Sequence, residues 1–138
     1  MKGTIEIWHL TSHGNLENVK TLVEAGANLE LGGGEYLTKP LGATVLNEDL
    51  DIARYLISKG ANVNSKSSTK STPAGYAATR GNVEILKILR AAGADLDDVE
   101  GPEDSSLLIV ASITNHQDVV DYLISRKVFY FVNSHTCW

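Results

Sequence analysis

His9 and His13 stand four residues apart, a spacing that sets two imidazoles one above the other on a helix where they could share a metal ion. No third ligand is apparent and no glutamate lies between them, so they read as two surface or half-buried histidines. His135 and Cys137 form a second pair, in a tail expected to be mobile and therefore poor at holding ligands in place. Gly32-Gly33-Gly34 has the glycine content of a phosphate cradle. It lacks the flanking strand, the lysine followed by serine or threonine, and the helix start that such a cradle needs. It reads instead as a mobile connector whose freedom would let Tyr36 adapt to a partner. Asp95, Asp97, Asp98, Glu100, Glu103 and Asp104 depart from the oxygen-ligand spacing of a calcium loop and read as a solvated loop. The sharper alternative is a patch that steers a basic partner, partly offset by Lys66 and Lys70 on the preceding loop. Acids, serines and histidines are present, but no spacing assembles a nucleophile with its base. The expectation is a protein with no catalytic residues, no metal and no cofactor.

Composition narrows the partner class. The chain has 138 residues, 43% of them apolar and 21% charged, which suits one domain able to bury a core. The net charge is −5 and the 12 basic residues are scattered. A nucleic-acid groove needs clustered Lys and Arg to neutralise phosphates, so neither nucleic acid nor an acidic membrane is an expected partner. No segment is long and apolar enough to span a bilayer. The first residues carry an early acid and lack the apolar run of a signal peptide, and a single cysteine cannot staple the fold internally. The expected location is cytoplasmic.

The elements that must position any site are set by a repeat. Stretches beginning Gly14-Asn15-Leu16-Glu17, Glu48-Asp49-Leu50-Asp51, Gly81-Asn82-Val83-Glu84 and Asn115-His116-Gln117-Asp118 start 34, 33 and 34 residues apart. Three of them run into a shared ending: Gly26-Ala27-Asn28, Gly60-Ala61-Asn62 and Gly93-Ala94-Asp95. Leu16, Val19, Leu22 and Val23 fall on one face of a helix. Leu50, Ala53, Leu56 and Ile57 repeat that spacing, as do Val83, Leu86 and Leu89. Each following glycine is suited to end its helix in a left-handed conformation. A shorter helix precedes each long one, most clearly at Thr72-Pro73-Ala74, where Thr72 can cap and Pro73 fits the first helical position. Lys39-Pro40-Leu41 and Ser106-Leu107-Leu108 hold the equivalent places. Loops fill 30–38, 64–71 and 97–105.

In this phase and content the sequence resembles the ankyrin repeat family. Thr72-Pro73-Ala74-Gly75-Tyr76-Ala77 stands against that family's Thr-Pro-Leu-His-x-Ala signature, and Gly60-Ala61-Asn62-Val63-Asn64 against its usual ending. The likeness covers roughly residues 4 to 131. It implies an all-α solenoid of about four helix-turn-helix repeats joined by hairpin-like loops, with units at about 1–30, 31–63, 64–96 and 97–131 and a tail at 132–138. The signature histidine is absent, its places held by Trp8, Gly42, Gly75 and Ile109. Glycine there removes bulk, so a neighbouring loop can approach closely, or space can open between units. Asn18 and Thr21 replace apolar residues on the first long helix, as suits an end with no neighbour. The last unit lacks the terminating glycine and reads Arg126-Lys127-Val128-Phe129-Tyr130-Phe131. That run is expected either to fold back as a cap, to form a patch for a partner or for self-association, or to mark the chain as part of a longer array.

The resemblance implies function on the concave face, built of loop tips and the exposed side of the short helices. The expected partner-binding residues are Tyr36, Thr38, Asn47, Thr69, Ser71, Thr79, Arg80, Glu103, Ser105 and Thr114, with Tyr36 and Arg80 as anchors by residue type. Ser12, His13, Glu35, Leu46, Ser68 and Ile113 fall on the same surface. The implied activity is binding of a partner protein by a monomer, as inhibitor, adaptor or masking protein. Self-association would run through Phe129, Tyr130 and Phe131. The alternative is sequestration of a small-molecule ligand in space opened between units by the glycine-rich loop at 32–34, Gly42 and Gly75.

Overall fold

The computed structural model describes Thr11, residues 15–96 and residues 107–134, with side chains as far as Ser125. Seven helices lie in this part: α1 Leu16–Glu24, α2 Pro40–Leu46, α3 Leu50–Ser58, α4 Pro73–Arg80, α5 Val83–Ala91, α6 Leu107–Ile113 and α7 Gln117–Ser134. Short and long helices alternate, and the described residues contain no strand, only an isolated antiparallel bridge between Gly33 and Thr38.

The same local chemistry starts and stops successive long helices. The side chains of Asn15, Asp49 and Asn82 accept from the amides of Asn18, Ile52 and Ile85 at 3.1, 3.1 and 3.0 Å, satisfying donors that a helix start leaves orphaned. Gly26, Gly60 and Gly93 end the helices at φ of 93°, 93° and 99°. The next amide then reaches back into the last turn, as when Ala61 donates to the Leu56 carbonyl at 3.0 Å. Thr72 caps α4 through the Gly75 amide at 3.1 Å with Pro73 at the first position, as the sequence led us to expect. Between short and long helix the chain turns through one left-handed residue per unit: Glu48, Gly81 and Asn115, at φ of 57°, 74° and 61°.

Packing sets the curvature. The short helices carry small residues among their buried positions, Gly42, Ala43, Ala74, Ala77, Ala78 and Ala111, and they lie close together from unit to unit. The long helices carry Ile52, Leu56, Ile85, Leu86 and Leu89 inward and are held further apart by that bulk. The short helices and loops therefore line the inner curve of the stack, and the long helices the outer one. A leucine as buried as Leu56 is worth about 2–5 kcal/mol against alanine, most of it burial plus the cavity left behind.

The structure amends two expectations. The buried face of the long helices is centred on Ile52, Ala53 and Leu56, and on Ile85, Leu86 and Leu89, whereas Leu50, Ile57 and Val83 are only half-buried. Each long helix packs at once on the short helix of its own unit and on its neighbours, and this widens and rotates the face read from spacing alone. Asn18 and Thr21 are exposed on α1 as anticipated. The second amendment concerns the end of the chain. α7 runs 18 residues, twice the nine of α5, and continues through Ser134. With no glycine to stop it, the backbone from 126 to 131 extends the helix rather than folding back as a cap, and the expected boundary between unit and tail at 131/132 falls inside that helix.

Candidate partner-binding face

The loops between units are fingers locked to one another at two levels. At the base, Asn28 and Asn62 each accept from the amide two residues on, Glu30 and Asn64, at 2.8 and 2.9 Å. The residues so positioned reach the next unit: Glu30 Oε2 accepts from the Asn62 amide at 2.9 Å, and Asn64 Oδ1 from the Asp95 amide at 2.8 Å. The bond that Glu30 makes in one joint is made by an asparagine in the next. At the tip, the Tyr36 carbonyl accepts from both the amide and the hydroxyl of Ser68, at 2.8 and 2.9 Å. The glycines at 32–34 are turn-formers, contrary to the mobile connector expected. Gly33 and Thr38 exchange both backbone bonds at 3.0 Å, Gly34 sits at φ 74°, and a side chain on Gly32 would run into the Leu37 carbonyl.

On this frame the expected binding residues fall into distinct groups. Tyr36 (53% exposed), Thr69, Thr79 and Arg80 are on the surface, with Glu35 and Ser68 beside the first two. Ser71 is half-buried, and its hydroxyl lies 3.2 Å from that of Thr69, itself 2.9 Å from Ser67 Oγ, a short chain of hydroxyls that stiffens the second finger. Thr38 is a correction. It is buried, its backbone closes the first finger, and its methyl points toward Gly42, so it supports the face rather than presenting itself. Asn47 is exposed, yet its side-chain amide donates to the Thr11 carbonyl at 3.1 Å and so ties two units together. Thr114 is half-buried and turns its hydroxyl back to the Val110 carbonyl at 2.8 Å. Leu46 is half-buried and Ile113 is 76% exposed. Glu103 and Ser105 lie outside the described residues, as do Ser12, His9, His13, His135, Cys137 and the acidic residues after Asp95. The side chains of Phe129, Tyr130 and Phe131 lie outside them too. Among the described residues no group of three or more His, Cys, Asp or Glu is placed to hold a metal, and no helix is long and apolar enough to cross a membrane.

Two features escaped the sequence reading. Leu31 and Leu37 are exposed on the first finger, by 41% and 53%. A run of period-free loop residues carries no signal for which of them faces solvent. The space left by Gly42 is also not open. A side chain there would meet the Tyr76 ring at 3.0 Å and the Thr38 methyl at 3.1 Å, so the missing histidine is replaced by an aromatic from the next unit. Gly75, by contrast, has only Thr72 Oγ1 near it, at 3.4 Å.

Comparison with known proteins agrees with this architecture. The family model described as ankyrin repeats, three copies, matches residues 41–134. A fem-1 homolog A-like protein of Mus musculus is 36% identical over 77 residues, which is 56% of this chain and 12% of that protein. A putative E3 ubiquitin-protein ligase of Arabidopsis thaliana is 40% identical over 93 residues, 63% of this chain and 24% of that protein. A palmitoyltransferase of Drosophila melanogaster is 33% identical over 99 residues, 70% of this chain and 15% of that protein. The chain thus spans less than a quarter of the length of each of these relatives.

Proposed function

Because the chain belongs to the ankyrin repeat family, whose repeats are protein–protein interaction modules, we propose that it binds a partner protein through the finger tips and the exposed ends of the short helices. The observation that carries this reading is the contrast between frame and tips. The bonds at the finger bases recur from joint to joint, at Glu30 to Asn62 and Asn64 to Asp95. The tips above them differ in kind, Tyr36 and Leu37 on one finger against Thr69 and Lys70 on the next. A fixed frame with changing side chains supplies area without a large ordering cost, and the side chains supply specificity.

Tyr36, Thr69, Thr79 and Arg80 are the residues offered to the partner, Ser71 and Thr38 hold the fingers that present them, Asn47 ties two units together, and Thr114 closes the end of its own short helix. Glu103 and Ser105 belong to the same proposed set by sequence position alone. The output is occlusion or bridging by a non-catalytic monomer in the cytoplasm, as an inhibitor, adaptor or masking protein. Self-association through Phe129, Tyr130 and Phe131 would use the far end of α7 and leave the fingers to a partner. The small-molecule alternative drew on space at Gly42 and Gly75, and the first of these is filled by Tyr76.

The test is a pull-down with the intact chain from an extract of its source cells, beside a control carrying Tyr36→Ala and Arg80→Ala together. A partner held by the native chain and lost by the control supports the inner face. A partner held equally by both moves the site elsewhere, and no protein partner at all removes the reading.

A further inference from the structure

We infer that the Tyr36–Leu37 tip is an insertion element, with Leu37 entering an apolar, acid-rimmed pocket on the partner; this rests on the reading that the chain binds a protein. Leu37 combines two unfavourable features. Its φ is 51°, a conformation that disfavours side chains with no polar group to bond locally, and its side chain is 53% exposed to water. Neither feature is demanded by the turn. One period later Lys70 sits at φ 64° in the same kind of turn, its amide donating to the Ser67 carbonyl as that of Leu37 donates to Gly34, at 2.9 and 3.5 Å. A polar residue therefore satisfies this corner, and the leucine is accounted for neither by backbone geometry nor by full burial within the chain.

The surroundings fit a part that docks without rearranging. The paired bonds of Gly33 and Thr38 close the finger, Ser68 grips the Tyr36 carbonyl twice, and Gly32 leaves room for the Leu37 carbonyl. Little ordering remains to oppose association. Tyr36, also 53% exposed, adds an aromatic of the type that carries binding energy. A projecting apolar knob needs a recess, and with a net charge of −5 and scattered basic residues the chain is suited to one on a folded protein rather than to a nucleic acid. Along the chain, the charged residues of the two linked fingers around the tip are Lys39, Lys66 and Lys70 against Glu35, so the complementary rim is acidic on balance.

The probe is the full chain carrying a photoreactive leucine analogue at position 37, irradiated in source-cell extract, with unlabelled native or Leu37→Asn chain as competitor. Asparagine tolerates the left-handed corner and removes the apolar group. The expected results are a cross-link to one protein, mapping to an apolar recess flanked by Asp or Glu, and competition by Leu37→Asn roughly tenfold weaker than by the native chain, a loss of about one leucine contact. The urea midpoint of Leu37→Asn should match or exceed that of the native chain. A clearly lower midpoint would make Leu37 a structural residue and overturn the proposal, as would a competitor as strong as the native chain or a cross-link to a flat polar surface or to nucleic acid. A partner held by the chain but indifferent to Leu37→Asn defeats this inference alone; the absence of any bound protein defeats the proposed function with it.

Discussion

The imidazole of His116 lies directly over the α-carbon of Gly81, and its Nε2 sits 2.8 Å from the Thr79 carbonyl. A carbonyl can only accept, so Nε2 carries the hydrogen in this contact. The histidine occupies the place where Asn15, Asp49 and Asn82 cap their own helices, and it reaches the preceding unit instead. Gly81 is thus required twice, by its φ of 74° and by the ring above it. Gly60 and Gly93 also have positive φ but nothing within 4 Å of an added side chain. Alanine at Gly60 or Gly93 is expected to cost about 1–2 kcal/mol from the backbone alone. Gly81→Ala should cost more, about 2–4 kcal/mol, because the ring must also move. Urea unfolding of the three variants checks the order, and an equal loss at all three would remove the role assigned to His116.

Glu48 stands at the corresponding corner with φ 57°, where a glycine would relieve the strain. Its exposed carboxylate accepts from Asn82 Nδ2 at 3.4 Å, a long contact of small worth. Glu48→Gly is therefore expected to stabilise the chain by about 0.5–1 kcal/mol. A rise in the thermal midpoint is the outcome to look for. A fall would mean that the tie to Asn82 outweighs the backbone strain.

Much of the fold was legible because its signals are local. The glycine endings, the Thr72 cap and Pro73 act within a few residues of themselves, and each stands where the spacing put it. The burial of Ile52 and Ile85 was not legible, since it depends on what stacks on both sides of a helix. The binding face was legible as a surface and less so residue by residue. Tyr36 and Arg80 are exposed, but Thr38 is turned inward by the Gly33 pairing, and Leu37 is turned outward by a corner that nothing in its type announces.

Gly42 and Gly75 hold equivalent places in α2 and α4 and should respond with opposite sign. Alanine at Gly75 gains helix propensity and meets only Thr72 Oγ1 at an ordinary 3.4 Å, so about 0.5–1 kcal/mol of stabilisation is expected. Alanine at Gly42 gains the same propensity but presses on the Tyr76 ring at 3.0 Å and the Thr38 methyl at 3.1 Å, in a buried setting. Overpacking of this kind costs about 1–3 kcal/mol, so a net loss is expected. Denaturant midpoints of the two variants decide it. If Gly42→Ala is as favourable as Gly75→Ala, Tyr76 is loose and the gap is adaptable.

On the outer side the joints differ in a way that a thermodynamic cycle can read. Lys20 Nζ lies 5.8 Å from the centre of the Tyr55 ring, and Lys87 Nζ lies 6.0 Å from that of Tyr122, one unit on in each case. In the joint between them the equivalent residues are Arg54 and Ile88, which offer a cation but no ring. Lys59 also stands 5.7 Å from Tyr55, so that ring faces two cations where Tyr122 faces one among the described residues. A partly exposed cation over an aromatic face is worth about 0.5–1 kcal/mol. The cycle of Lys20→Met, Tyr55→Leu and the double variant should return a coupling of about that size, reduced little by salt because the attraction is short-ranged. The matching cycle at Arg54 and Ile88 should return a coupling near zero. Tyr55→Phe keeps the ring and removes a buried hydroxyl that has no hydrogen-bond partner among the described residues. It should therefore preserve the coupling and raise stability by about 1 kcal/mol, the cost of leaving such a group unpaired. If the phenylalanine variant is instead less stable, the hydroxyl is bonded, and the outer joint draws on a polar contact as well as on the ring.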